Sequence, residues 1–236
     1  MMDLQFFGGR GSESGAGKKI PIANSISEAN KIAVKYGFAK MAEFKGFSLK
    51  NANMIIQRMA DTKRMFPNML SLDFVGNPKY GNDITAKTAR KNRNALAWVT
   101  IMITPDGVTP TQKVALNFKQ EYFSDRRKAK INEILTLGVN KKFHPEGTTS
   151  LRAQVDHELG HILDRSIKGS RISSDSRITA LFNKHKGAMK DVLSDYAKTN
   201  EQEFLAEAWS EYRNNPNPRP VAKEVGKIIK SYFKKT

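Results

Sequence analysis

The order in which hydrophobic patterns change along the chain constrains its fold most. Segments rich in β-branched and aromatic residues lie between residues 71 and 123: "SLDFVG", "NALAWVTIMITP" and "KVALNFKQEYF". The turn sequences "GNPKYGND" and "PDG" separate them, so each is predicted to be a strand. From residue 126 onward the apolar residues recur with the helical period, which predicts helices at 126–137, 149–166, 175–195, 200–213 and 220–233. Strands followed by helices, without regular βαβ alternation, predict an α+β fold.

The residues before the strands divide into a tail and a helical segment. Gly and Ser dominate residues 8–17, so residues 1–20 are predicted to be a flexible tail. "SISEANKIAVKYGF" and "SLKNANMIIQRMADTKRMF" each begin with a serine cap and carry an apolar helical face. They predict a helical lead-in within residues 21–70, which leaves residues 71–236 for the main domain.

Charge and cysteine content limit the partners of the chain. Its 40 Lys and Arg outnumber 23 Asp and Glu, and the net charge of +17 favours polyanions such as nucleic acid, or simply high solubility. There is no cysteine, so a metal would be held by His, Asp or Glu. No apolar run approaches the roughly 18 residues of a membrane span, and the N-terminus lacks the apolar region of a secretory signal.

The positive charge is concentrated in four short clusters. A solvated basic face is one interpretation of them, and non-specific contact with nucleic acid phosphates is the other. No recognised nucleic-acid-binding module accompanies the clusters, which are "KTARKNR" (87–93), "DRRKAK" (125–130), "NKK" (140–142) and "KSYFKK" (230–235).

The stretch "QVDHELGHILDR", residues 154–165, contains the spacing H-E-x-x-H. Residues four apart on a helix share a face, so His157 and His161 can reach one ion while Glu158 lies beside it. Catalytic zinc takes three protein ligands and a water whose pKa falls to about 7, and Glu158 would accept the proton of that water. Alternatively, all three are surface residues of an ordinary helix.

The helix that would carry this motif has a buried stripe of Leu151, Val155, Leu159, Ile162 and Leu163. Gly160 lies in its interior, where glycine costs about 1 kcal/mol relative to alanine. Close approach of another backbone would explain the glycine.

The third ligand is predicted to be a carboxylate. His185 lies in a basic, solvated stretch, and the longer pattern H-E-x-x-H-x-x-G-x-x-H is absent because Asp164 and Ile167 stand where Gly and His are needed. Downstream, "SDYAKTNEQEFLAEAWSEY" (194–212) predicts a helix with Glu203 and Glu207 on a face of small residues.

This face could pack against Gly160, bringing Glu203 to the zinc while Glu207 hydrogen-bonds a ligand histidine. Glu203 could instead complete a capping box begun by Asn200. Thr199 with Gln202 makes an equally good box one register earlier, so capping does not require Glu203.

The two motifs "HELGHILD" and "YAKTNEQEFLAEAW" together resemble the peptidase domain of anthrax toxin lethal factor and its relatives, over roughly residues 95–235. The resemblance implies a zincin-like metallopeptidase domain with a small twisted sheet, acting as a zinc endopeptidase on a protein or peptide. It implies that His157, His161 and Glu203 bind zinc, that Glu158 is the general base, and that Tyr196 donates its hydroxyl to the oxyanion. Tyr196 as an ordinary half-buried aromatic is the alternative.

The resemblance also concerns the approach to the metal helix and the substrate. "FHPEGTTSLRAQVDHELGH" is similar to the His-Pro-x-Gly approach of relatives, which places His144 near the cleft, with solvent exposure as the alternative. Either "ALAWVTIMI" or "KVALNFKQEYF" would be the edge strand along which an extended peptide pairs.

The tail "MDLQFFGGRGSESG" resembles the openings of head-module proteins from phages of Gram-positive bacteria. This implies phage or prophage origin, phage head proteins as partners, and a location in the host bacterial cytoplasm or the virion. The alternative function is therefore a head-associated structural or DNA-binding protein with a zincin fold and little or no catalysis.

Overall fold

The structure is a computed structural model that describes residues 20–81, 92, 95–104, 111–125 and 128–234. Its helices and small four-stranded sheet confirm the predicted α+β class. The strands are β1 (Ala39–Glu43), β2 (Leu72–Gly76), β3 (Ala97–Thr104) and β4 (Thr111–Phe118). The α-helices of the described ranges are α1 (Ile26–Lys35), α2 (Leu49–Met65), α3 (Gln120–Phe123), α4 (Lys128–Asn140), α5 (Leu151–Asp164), α6 (Ser176–His185), α7 (Met189–Val192), α8 (Glu201–Asn214) and α9 (Pro220–Tyr232).

The strand order in the sheet is β1–β2–β4–β3. β2 pairs in parallel with β1 and with β4, whereas β3 pairs with β4 in antiparallel orientation. β3 is therefore at an edge of this sheet and β4 is inside it. All three predicted strand segments contain a strand. The last one is shorter than predicted, because the chain turns into α3 so that Phe123 packs on Phe118 and Phe47, with ring centroids 4.8 and 5.5 Å apart.

The predicted lead-in contains both expected helices, but it also contains a strand that the sequence analysis missed. Ser25 and Ser48 cap α1 and α2 with their side chains, as predicted. β1 lies between Gly37 and Gly46, whose positive φ angles of 67° and 86° allow tight turns on either side. The predicted domain boundary at residue 70 stays a prediction, although β1 and β2 lie on opposite sides of it and are paired.

The C-terminal helices follow the predicted pattern with two differences. α4 continues to Asn140, three residues beyond the prediction, and ends where Lys142 adopts a φ of 58°. The single helix predicted at 175–195 is wrong, because α6 ends at His185 and a 3₁₀ turn, Lys186–Ala188, separates it from α7. Gly187 lies in this turn, and glycine is a poor helix former.

α5 is held from three sides, by α8, by α2 and by β3. The aromatic part of the core lies around α8, where the buried Trp209 contacts Phe66 with ring centroids 5.6 Å apart. On the α2 side, the guanidinium of Arg58 donates to the carboxylate of Asp156, with Nε 3.0 Å from Oδ1, and both side chains are buried. α5 is therefore a central helix, and most of its residues are buried.

Several predictions concern residues outside the described ranges. Residues 1–19 of the predicted tail lie outside them, whereas Ile20, its last residue, is buried in the core. The basic cluster 87–93, apart from Asn92, also lies outside them, as do Arg126 and Arg127 of the second cluster and Lys235 of the fourth. Among the helices described, none combines the length and apolar character needed to cross a membrane.

Candidate metal centre

α5 presents His157 and His161 side by side. Ser150 caps the helix, and its Oγ accepts a hydrogen bond from the backbone N–H of Ala153 at 3.4 Å. The two imidazole rings lie one helical turn apart, with centroids 4.9 Å from each other, and their side chains are 8% and 18% exposed. Both rings are thus largely shielded from solvent, which argues against the alternative of ordinary surface residues.

α8 brings Glu203 to these histidines. Asn200 caps α8, because its Oδ1 accepts hydrogen bonds from the backbone N–H groups of Gln202 and Glu203, each at 2.9 Å. The carboxylate of Glu203 points away from the cap, and its Oε2 lies 3.3 Å from Nε2 of His157 and 3.3 Å from Nε2 of His161. The cap therefore forms at Asn200 while the Glu203 carboxylate faces the histidines.

The close approach of α5 and α8 explains Gly160. A Cβ atom at this position would lie 2.9 Å from Cα of Ala206, closer than carbon atoms pack. The predicted approach of another backbone is confirmed, and the helix that approaches is α8. Ser210 closes the same contact, because its hydroxyl donates to the carbonyl of Ala153 at 2.8 Å.

The arrangement of the three side chains fits zinc. Their ligand atoms all lie within 4.8 Å of one another. In a tetrahedral site with bonds of about 2.0–2.1 Å, neighbouring ligand atoms are roughly 3.3 Å apart, the distance from Glu203 Oε2 to each histidine. Oε2 of Glu203 is also buried, with the two imidazole nitrogens as its neighbours. A buried charge is paired or coordinates a metal, and a cation between the three side chains would bind all three ligand atoms.

The pKa shifts of the cluster formed by His157, His161 and Glu203 suit a bound cation. Burial raises the pKa of Glu203, but its two histidine neighbours outweigh burial and hold that pKa far below its usual value. Burial lowers the pKa of His157, yet Glu203 and Glu207 raise it more, so the net pKa is well above the ordinary value. The carboxylate is thus ionised, and a metal would displace a proton from the imidazole.

Glu158 lies next to the cluster and is only 6% exposed. Burial raises its pKa, against the opposing effect of His157 and His161, and the carboxylate accepts a hydrogen bond from the backbone of Val99 in β3. The backbone N–H of Lys119 donates to the carbonyl of Leu96 at 2.9 Å, so these two residues form a hydrogen-bonded pair of the antiparallel ladder. Hydrogen-bonded and non-hydrogen-bonded pairs alternate along the strands, and Val99 is in a non-hydrogen-bonded pair. Its backbone N–H and C=O therefore point away from β4. Of the two candidate edge strands, the structure therefore identifies "ALAWVTIMI", which runs past Glu158.

Tyr196 lies in a 3₁₀ turn, Tyr196–Lys198, just before α8. Its ring is half-buried, with its centroid 6.0 Å from that of His157. Burial and the negative charges of Glu203, Glu158 and Glu207 raise the pKa of its hydroxyl. The hydroxyl therefore stays protonated at neutral pH and is available as a hydrogen-bond donor.

Glu207 lies behind the cluster, where its Oε1 is 2.8 Å from Nδ1 of His157. Its other oxygen, Oε2, accepts a hydrogen bond from Ser194 at 2.9 Å and lies 3.4 Å from Nδ1 of His144. Burial raises the pKa of Glu207, but His144 and His157 lower it to about 2. The sequence had left two positions possible for His144, near the cleft or exposed to solvent, and the structure has it near the cleft. No pattern in the sequence indicates that Ser194 lies near Glu207.

Fold and site together define a class: an α+β protein whose candidate metal centre is shared by two closely packed helices, beside the edge strand of a small sheet. The comparison with protein families names that class. The family model described as anthrax toxin lethal factor, N- and C-terminal domain, matches residues 107–235, more than half of the chain. The protein belongs to this family. No curated protein and no solved structure shows a significant match.

Proposed function

We propose that the protein is a zinc-dependent endopeptidase, with zinc held by His157, His161 and Glu203. The observation that carries the proposal is the meeting of three ligand atoms: the buried Oε2 of Glu203 lies 3.3 Å from Nε2 of both His157 and His161. Membership in the lethal factor family supports it. The buried Glu158 beside the cluster supplies the additional group that hydrolysis needs and metal storage does not.

Zinc bound at this cluster would supply a Lewis acid that activates water and polarises the peptide carbonyl. Glu158 accepts the proton of the attacking water and returns it to the leaving amine. Its raised pKa makes proton return easier, and the Val99 hydrogen bond holds its carboxylate in place. The hydroxyl of Tyr196 donates a hydrogen bond to the carbonyl oxygen of the peptide, which gains negative charge as water attacks the carbonyl carbon.

The edge strand β3 provides a place for the substrate backbone. Every second residue, including Ala97 and Ile101, directs its backbone N–H and C=O away from β4, and Val99, which binds Glu158, lies between these two. An extended peptide can pair with such an edge through main-chain hydrogen bonds. We infer that the substrate is a protein or peptide segment without regular structure at the cleavage site.

Metal analysis of the purified protein together with a peptide-library cleavage assay tests the proposal. The wild type should hold about one zinc per chain and cleave peptides. Glu158→Gln should keep the zinc and lose cleavage, because an amide cannot accept the proton. Glu224→Gln, the same change on the exposed surface of α9, is the matched control and should behave as the wild type. A wild type without zinc, or a Glu158→Gln variant with undiminished cleavage, would contradict the proposal.

Phage or prophage origin, phage head proteins as partners and contact of the basic clusters with nucleic acid stay predictions. For the last of these, a titration with DNA at two salt concentrations is the measurement. Binding that weakens steeply with salt is expected from phosphate contacts, and no binding at low salt would contradict the prediction.

A further inference from the structure

We propose that His144 is a positioning residue of the metal centre, which acts through Glu207 to hold the imidazole of His157 in the orientation that metal binding requires. The inference rests on the zinc site proposed above. It concerns a side chain that lies outside both metal-ligand motifs, 13 residues before His157, and is not in the group of candidate ligands.

The two oxygens of Glu207 have different partners. Oε1 faces Nδ1 of His157 at 2.8 Å, whereas Oε2 is bound by the hydroxyl of Ser194 at 2.9 Å and lies 3.4 Å from Nδ1 of His144. The contacts on Oε2 restrict rotation of the carboxylate and keep Oε1 close to Nδ1 of His157. An acceptor at Nδ1 favours the imidazole tautomer with its proton there, which leaves the Nε2 lone pair for a metal.

His144 is itself held rigidly. It follows the end of α4, where the carbonyl of Gly138 accepts from the backbone N–H groups of Phe143 at 2.8 Å and His144 at 3.3 Å. A Cβ atom on Gly138 would lie 3.0 Å from Cδ2 of His144, so the ring packs directly over this glycine. The side chain is 18% exposed, so neighbouring atoms restrict its movement.

The same segment also fixes the position of Tyr196. The backbone N–H of Tyr196 donates to the carbonyl of Phe143 at 3.2 Å, and the rings of His144 and Tyr196 have centroids 6.0 Å apart. Phe143 thus contacts the proposed oxyanion donor, and His144 contacts a proposed ligand through Glu207. His144 therefore lies where it can fix the position of Tyr196 relative to His157.

The competing role for His144 is ring packing over Gly138, without any polar contribution. Three substitutions separate the roles. His144→Asn and His144→Ala both remove the ring, but only asparagine keeps an N–H donor near the position of Nδ1. His144→Phe keeps a ring and removes the donor. His185→Ala, at the end of α6, is the control for loss of a histidine outside the cluster.

The measurement is the zinc dissociation constant of each variant, obtained by competition with a chelator, with the unfolding midpoint of the zinc-free protein recorded alongside. Loss of a group that orients a ligand typically weakens metal binding by about 10- to 100-fold. We therefore expect His144→Ala and His144→Phe to raise the zinc dissociation constant about tenfold. The zinc dissociation constant of His144→Asn should stay close to that of the wild type. The His185→Ala control should leave it unchanged.

Equal zinc affinity in the Ala and Asn variants would overturn the inference, as would a Phe variant that binds zinc like the wild type. The Ala and Asn pair decides the matter even when the Phe variant does not fold. Because zinc affinity is read without cleavage, an inactive wild type with the expected pattern of affinities would contradict the endopeptidase proposal alone. An active wild type with equal affinities in the Ala and Asn variants would contradict this inference alone.

Discussion

Substitution of Gly160 by alanine should separate α5 from α8 and weaken zinc binding. The added Cβ would lie 2.9 Å from Cα and 3.4 Å from Cβ of Ala206. Carbon atoms pack at about 3.5–4.0 Å, so the two helices must move apart by roughly 0.6–1 Å at this point. Glu203 lies one turn before Ala206 on the same helix, and zinc–ligand distances tolerate changes of only about 0.2 Å.

The expected loss of stability follows from two opposing effects. Overpacking a tight contact costs about 1–3 kcal/mol, whereas alanine in a helix interior gains about 1 kcal/mol over glycine. The free energy of unfolding of the zinc-free Gly160→Ala variant should therefore fall by about 0–2 kcal/mol. The zinc dissociation constant should rise at least about tenfold, because Glu203 is displaced from the histidines.

Urea denaturation of the zinc-free protein and chelator competition measure the two quantities. Gly187→Ala is the matched control, because a Cβ there meets nothing within 4 Å and the residue does not have a positive φ. Its stability and zinc affinity should be no lower than those of the wild type. A Gly160→Ala variant that gains stability and keeps wild-type zinc affinity would refute the argument from helix separation.

Three further substitutions test separate parts of the site. Tyr196→Phe should keep zinc and lower kcat roughly 100-fold, because a donor to the oxyanion is lost; steady-state kinetics with equal activity would return Tyr196 to a packing role. Glu203→Ala should lower zinc occupancy in elemental analysis while the helix content in circular dichroism stays the same, since Asn200 still caps α8; full occupancy would exclude Glu203 as a ligand. Arg58→Met should lower the free energy of unfolding by about 3–5 kcal/mol, because the carboxylate of Asp156 stays buried without its cation; a change below about 1 kcal/mol in urea denaturation would show that Asn214 satisfies Asp156 alone.

Local patterns in the sequence were sufficient to predict most helices and the strands β2, β3 and β4. Caps such as Ser25, Ser48 and Asn200 act within one helical turn, so they can be read directly from neighbouring residues. The interior glycine at position 160 also gave a correct prediction, because its cost in a helix required a close neighbour. β1 was missed because its five residues, AKMAE, include no β-branched or aromatic side chain, although Gly37 and Gly46 on either side were a usable indication of turns.

The supporting contacts of the candidate site could not be predicted in the same way. His144 and Glu207 are 63 residues apart, and the interaction between them depends on how α4 ends and where α8 packs. Ser194 is only 13 residues from Glu207, but its hydroxyl reaches the carboxylate because the helix predicted at 175–195 is interrupted before it. Tertiary packing decides such contacts, and periodicity along one element carries no information about them.

The part of the chain that precedes the family match also belongs to the structure that holds the candidate site. The match begins at residue 107, yet β4 pairs with β2, and Asp156 is bound by Arg58 of α2, 98 residues earlier. Asp156 immediately precedes His157, and Asn214 of α8 donates to the same carboxylate at 2.7 Å. A buried carboxylate is costly without a partner, so the orientation of α5 depends on α2 as well as on α8. α5, which carries two of the candidate ligands, is therefore held by this ion pair to α2 and by its packing against α8, the helix that carries Glu203.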